Sequence, residues 1–104
     1  MKAVCVDHKA PRHLALAEVP EPQADSHEAL VRVRAVSLNR GELRRAEAGS
    51  AGQRIGWDLA GTLEQPARDG SGPKAGTRVV ALSRSMRGWA ERSALPTRDL
   101  APIP

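Results

Sequence analysis

The chain has 104 residues, 40% of them hydrophobic, with a formal net charge of +4 and a single cysteine. That length suits one domain, and one cysteine excludes an intrachain disulfide, which fits a reducing compartment. No apolar run approaches the roughly 18 residues of a membrane span, and MKAVCVDHKAP at the start lacks a signal-peptide core, so the expectation is a soluble, cytoplasmic protein with no membrane partner.

Phe and Tyr are absent, and Trp57 and Trp89 are the only aromatics. A core is therefore built from small aliphatic side chains, and the margin of stability is expected to be thin. Arginine supplies nearly all the positive charge, with Lys only at positions 2, 9 and 74. The arginines are scattered and aromatic stacking platforms are missing, so nucleic acid is not expected as a partner.

In chain order, Lys2 to Val6 is a short apolar run that reads as a strand, and DHKAPR (7–12) as a turn. His13 to Val19 reads as a second strand, closed by Pro20 and Pro22, because proline cannot donate to a sheet ladder. PEPQADSHE (20–28) is a loop by composition. From Ala29 to Ser37, Val31, Val33 and Ala35 alternate with Arg32 and Arg34, a period of two that places the apolar residues on one buried face.

Arg40 to Ala48 is the one plausible helix, rich in good helix formers and ended by Gly49. Trp57 to Glu64 resumes extended structure around Gly61, and a glycine inside a strand marks a bulge or a close backbone approach. QPARDGSGPKAG (65–76) is a turn, Thr77 to Leu82 a strand, Arg87 to Leu95 another, and 96–104 an extended, proline-punctuated end. Six or seven short strands with turn signals between them predict a sandwich or barrel. The end at LAPIP reads as a cut at a domain edge.

Cys5, His8, His13 and His27 show no CxxC or HxxxH spacing, so no metal site is expected. A GxSxG elbow and a GxGxxG phosphate loop are both missing, and Ser37 has no sequence partner that would activate it. The interest lies in Ser37 to Gly61. Asn39 follows a strand, precedes the helix and has Glu42 three residues on, which is a capping-box arrangement. It reads both as a structural cap and as an amide projecting into a cleft, and the two are compatible. Arg40 and Arg44, four apart, share a helix face, solvated or anion-facing. Trp57 reads as a core aromatic. Asp58, if buried, calls for a partner, with arginine the natural one.

MKAV, EVPEP, EALVRVRAVSLNRGEL, GWDLAGTLE, GTRVVAL and GWAERSALPTRDLAPIP occur in an order and spacing that resemble the N-terminal part of medium-chain dehydrogenases/reductases across the whole chain. The branch it is most similar to is the zinc-independent, zeta-crystallin-like quinone oxidoreductases. The resemblance implies a mainly β fold: a GroES-like, partly open β-barrel with one short helix, filling residues 1–104. It also implies that the Rossmann domain that binds NADPH or NADH is not in this chain and is supplied in cis or in trans.

In zinc-dependent members of that superfamily a cysteine ligand follows the strong strand, where Asn39 stands here, and the histidine of a GHE motif is Trp57 in Gly56-Trp57-Asp58. The resemblance thus implies no catalytic zinc. In the zinc-free branch the equivalent of Asn39 lies near the nicotinamide, which makes Asn39 a catalytic and cofactor-binding candidate. Arg44 stands where a tyrosine often occurs, and is the second catalytic candidate. Arg40, Trp57 and Asp58 are expected to line the substrate cleft.

The implied function is the substrate side of an NAD(P)H-dependent reductase acting on a quinone, enone or related carbonyl compound, homodimeric at full length, with the isolated chain inactive. The alternative is a stand-alone GroES-like binding or assembly module without catalytic activity.

Overall fold

The structure is a computed structural model describing residues 1–104. Seven strands form two antiparallel sheets. β1 (Lys2–Val6) pairs with β2 (Leu14–Glu18), so that Val4 faces Leu16 across the ladder. The five-stranded sheet runs β6-β3-β4-β5-β7 and curls into a half-barrel. Its strands are β3 (Glu28–Val36), β4 (Asp58–Gln65), β5 (Arg78–Leu82), β6 (Arg92–Pro96) and β7 (Leu100–Pro102). The one helix, α1, spans Arg40–Ala48 between β3 and β4. This is the mainly β, GroES-like, partly open barrel with one short helix that the sequence led us to expect.

Two apolar clusters hold the layers together. Val31, Leu59, Val79 and Leu95 meet in one cluster of the larger sheet, each from a different strand. Val6, Ala46, Ile55 and Trp89 join the small sheet to α1. Trp89, not Trp57, is the core aromatic, at 7% exposure. Trp57 is half-buried and lies over the start of α1, where a Cβ on Gly41 would come within 2.7 Å of its ring.

The alternation in β3 holds for Ala29, Val31 and Val33, then fails. The β3–β4 register shifts between Val33 and Ala35, and Val36 beyond it is 39% exposed. A bulge of this kind bends a strand and re-aims the residues after it. It therefore sets the direction in which Ser37 and Asn39 leave the sheet. Gly61 makes the close approach expected of a strand glycine: a Cβ there would collide with the carbonyl oxygen of Arg32 on β3.

The strand expected over 87–95 begins only at Arg92. Trp89 N–H donates to the Ile55 carbonyl and Ala90 bridges Ala3, so the first half of that segment is drawn toward β1.

Candidate functional site

The site is built where β3 ends, α1 begins and β4 starts. Asn39 is the N-cap of α1, in extended conformation, and Glu42 is the third residue of the first turn. The two take the positions of a capping box. Its firmer arm is that of Glu42, whose Oε1 accepts from the Asn39 backbone N–H at 3.0 Å. The Asn39 side chain makes no cap hydrogen bond of ordinary geometry. It turns Nδ2 toward oxygen atoms instead: Glu42 Oε1 at 2.9 Å, Ser37 Oγ at 3.3 Å and Asp58 Oδ2 at 3.4 Å. With only two N–H bonds to share among three acceptors, the amide is fixed in orientation, and Oδ1, which faces the Glu42 N–H in the capping box, keeps a second lone pair able to accept from a ligand.

Glu42 is fully buried. Its second oxygen, Oε2, accepts from the backbone N–H of Trp57 at 3.0 Å. One carboxylate therefore ties the helix cap to the first residues of β4, using three N–H donors and no cation. A position in the first turn of a helix suits its charge, since the unsatisfied N–H groups there are partly positive.

Asp58 does not find the expected arginine. It is half-buried at the start of β4, and Oδ2 accepts from the Ser37 hydroxyl at 3.0 Å. Ser37, Asn39 and Asp58 are thus brought together. Ser37 was without a visible partner because that partner lies 21 residues further on, across the β3–β4 ladder.

Arg40 and Arg44 are exposed and outside this group. The buried residues of α1 are Glu42 and Ala46. Two residues of offset turn a side chain about 200° around a helix, so the Arg40–Arg44 face points away from the buried one.

Beside Asp58 opens a cleft of about 730 Å³ across the face of β4 and β5. Nine of its fourteen lining residues are hydrophobic, and Val36, Val80 and Leu82 leave more than a third of their surface exposed there. Ser37 and Asp58 form one polar end, and Arg84, Arg98 and Asp99 the other. Asp99 Oδ1 accepts from Arg84 Nε at 3.0 Å, while its Oδ2 is buried without a partner. Of the five residues singled out in the sequence, Asp58 alone lines this cleft; Asn39 stands behind it, through Ser37 and Asp58.

No three His, Cys, Asp or Glu side chains converge in the structure. The His8 and His13 rings meet edge to face, with their Nδ1 atoms 3.3 Å apart, and Cys5 is buried in β1. No helix is long and apolar enough to cross a membrane.

With this geometry in hand, comparison with known proteins is informative. The family model described as "Alcohol dehydrogenase GroES-like domain" matches residues 25–104. Human synaptic vesicle membrane protein VAT-1 homolog-like protein is similar over 100% of this chain and 35% of its own, at 24% identity and a TM-score of 0.89. A Rhizobium etli CFN 42 protein provisionally classed as a zinc-dependent alcohol dehydrogenase shares 27% identity, with a TM-score of 0.85, over 100% of this chain and 33% of its own. The Escherichia coli quinone oxidoreductase complexed with NADPH has a TM-score of 0.88 at 18% identity, again over 100% and 33%. The chain thus spans about a third of the length of these structures. No curated protein matches it in sequence.

Proposed function

This chain belongs to the alcohol dehydrogenase GroES-like domain family, and on that footing we propose that it is the substrate-side catalytic domain of a zinc-independent, NAD(P)H-dependent oxidoreductase. The acceptor is a quinone, enone or related carbonyl compound. A Rossmann domain, in cis or in trans, holds the nicotinamide cofactor, which supplies the hydride. The protein is cytoplasmic, and the full-length enzyme is a homodimer.

The observation that carries the reading is the Ser37–Asn39–Asp58 cluster at the polar end of a largely apolar cleft. An apolar floor suits a flat conjugated ring, and a few fixed polar groups at one end suit its carbonyl. Asn39, locked through Nδ2, presents Oδ1 as an acceptor for a carboxamide or hydroxyl. Ser37 is a hydroxyl donor held by Asp58, able to turn toward a carbonyl oxygen that gains charge. Trp57, Arg40 and Arg44 do not line this cleft and are given no contact with the acceptor.

Zinc does not fit this donor set. The side chains nearest Asn39 are Ser37, Asp58 and Glu42; both Glu42 oxygens are committed to N–H donors, and no thiolate or imidazole is present among them.

The test is a hydride-transfer assay on the chain joined to its nucleotide-binding domain, with a quinone as acceptor. Asn39→Ala is expected to lower kcat/KM on the order of ten-fold, the loss of about one hydrogen bond in the transition state. Unchanged kcat/KM would remove Asn39 from the site. A full-length protein that binds partners but transfers no hydride would favour the assembly-module reading.

A further inference from the structure

Four of the arginines that are scattered in the sequence line one cleft in the fold. Arg45 at the end of α1, Arg54 in the loop before β4, and Arg84 and Arg87 in the loop after β5 line one polar cleft of about 410 Å³. No Asp or Glu lines it. Arg84 is tied to Asp99 at the edge, but Arg45, Arg54 and Arg87 have no carboxylate partner. Arg54 and Arg87 feel each other's like charge in a cleft that no carboxylate lines, an imbalance that a bound anion would relieve.

The Arg54 Nε–H is buried and has no hydrogen-bond partner, and the one hydrogen bond of its side chain is a long 3.5 Å approach of Nη2 to the Arg87 carbonyl. A buried unpaired donor costs about 1–3 kcal/mol, more for a charged group. Burial, reinforced by the like charge of Arg87, draws its pKa below the ordinary guanidinium value. Arg54 and Arg87 also line a neighbouring cleft of about 640 Å³, where Glu21 and Glu28 share the lining, so the side free of carboxylates is the smaller cleft.

The loop that carries Arg84 and Arg87 is held rigidly. Ser83 is fully buried; its N–H donates to the Trp57 carbonyl, and its Oγ accepts from the Arg87 N–H at 3.0 Å. Gly88 N–H donates to the Gly56 carbonyl at 2.9 Å. Met86 between them sits at φ 59°, a conformation that costs a side-chain-bearing residue energy and that the surrounding bonds enforce. The arginines are thus presented by a fixed frame, and an incoming anion does not have to order the backbone.

We propose that the Arg45–Arg54–Arg87 cleft binds a small phosphate group, free or as a phosphate monoester. Guanidinium forks match phosphate oxygens in pairs, and a compact tetrahedral anion suits a small cleft lined by several of them. Ser85 supplies a hydroxyl donor at the rim. The site differs from the Ser37–Asn39–Asp58 cluster, lying toward the last turn of α1 whereas that cluster lies at the first, although Arg84 borders the clefts of both.

The test is titration calorimetry on the full chain with inorganic phosphate, at ionic strength held constant with chloride. Saturable binding near one equivalent is expected, weakened about five-fold or more by Arg87→Gln and by Arg54→Gln and unaffected by Arg98→Gln. Arg87 is exposed and its side chain makes no hydrogen bond, so Arg87→Gln keeps the fold, and a far-UV circular dichroism spectrum verifies this. Titration of glucose 6-phosphate beside inorganic phosphate then separates a monoester site from one for the free ion. Heats no larger than those of matched chloride, or wild-type affinity in Arg87→Gln, would overturn the proposal. So would binding of a single-stranded oligonucleotide by a chain that ignores phosphate.

Discussion

Glu42 on α1 and Trp57 at the threshold of β4 are joined by a 3.0 Å hydrogen bond from the Trp57 backbone N–H to Glu42 Oε2. They are 15 residues apart, and the loop between them is short of regular structure. The bond makes the helix cap and the strand start a single rigid unit. Truncating Glu42→Ala leaves three N–H bonds at the cap without their acceptor. Urea unfolding should show a loss of roughly 2–4 kcal/mol. Glu42→Gln keeps the volume and one acceptor oxygen, and should lose less. A loss below about 0.5 kcal/mol in Glu42→Ala would mean that water replaces the carboxylate.

Asn39 has two separable duties. As an N-cap whose side chain makes no cap hydrogen bond of ordinary geometry, it contributes less than the ~1 kcal/mol of a well-formed cap. As a site residue it contributes to kcat/KM. Asn39→Asp should retain much of the capping stability while placing a carboxylate against those of Glu42 and Asp58. The expected outcome is a protein close to wild type in thermal unfolding at low pH, but poorer near neutrality and poorer in hydride transfer. Equal stability of Asn39→Asp and wild type at both pH values would show that the amide does not face the two acids.

Gly61→Ala directs a methyl group at the Arg32 carbonyl, which is backbone and cannot swing aside. The β3–β4 ladder has to open there, beside the buried Val31. Destabilisation of roughly 3 kcal/mol or more is expected, measurable by chemical denaturation. In a domain with a core of small aliphatics, that is enough to leave a large unfolded fraction.

Acid should weaken the sheet through Glu64. Its carboxylate accepts from Arg32 Nε at 2.7 Å and Arg92 Nε at 3.1 Å, linking β4 to β3 and β6. The Arg32 hydrogen bond first, and Arg92 after it, lower its pKa. A carboxyl whose folded pKa lies below its unfolded one stabilises the fold above the ordinary carboxylate range, and the contribution disappears as pH falls through the lowered folded value. Glu64→Gln should therefore cost up to about 1 kcal/mol at pH 7, a modest figure because the pair is solvent-screened, and progressively less as pH falls below the ordinary carboxylate range. A cost that does not change with pH would assign the effect to packing.

Much of the fold was legible because its signals are local. The helix bounds Arg40–Ala48 followed from helix formers between Asn39 and Gly49, and the structure has the same bounds. Period two located β3, and the glycine inside β4 announced a close approach that a neighbouring carbonyl indeed makes. Where reading failed, a distant segment had intervened. Trp89 took the core place expected for Trp57 because its backbone pairs with Ile55. The strand expected from Arg87 starts late because Ala90 is held by Ala3.

The candidate site divides along the same line. Sequence by itself determined which residues are chemically notable and which backbone each sits on: a cap at Asn39, a helix face for Arg40 and Arg44, a strand start for Asp58. Tertiary structure decided which of them meet. Asn39 and Asp58 come within 3.4 Å because a bulge in β3 re-aims the chain after Val33 against a register that β4 sets. Arg45, Arg54 and Arg87 share a cleft because the loop after β5 folds back onto Gly56. Local patterns encode dihedral angles, but the convergence of side chains depends on register and sheet curl summed over the whole chain, and no short stretch of sequence carries that sum.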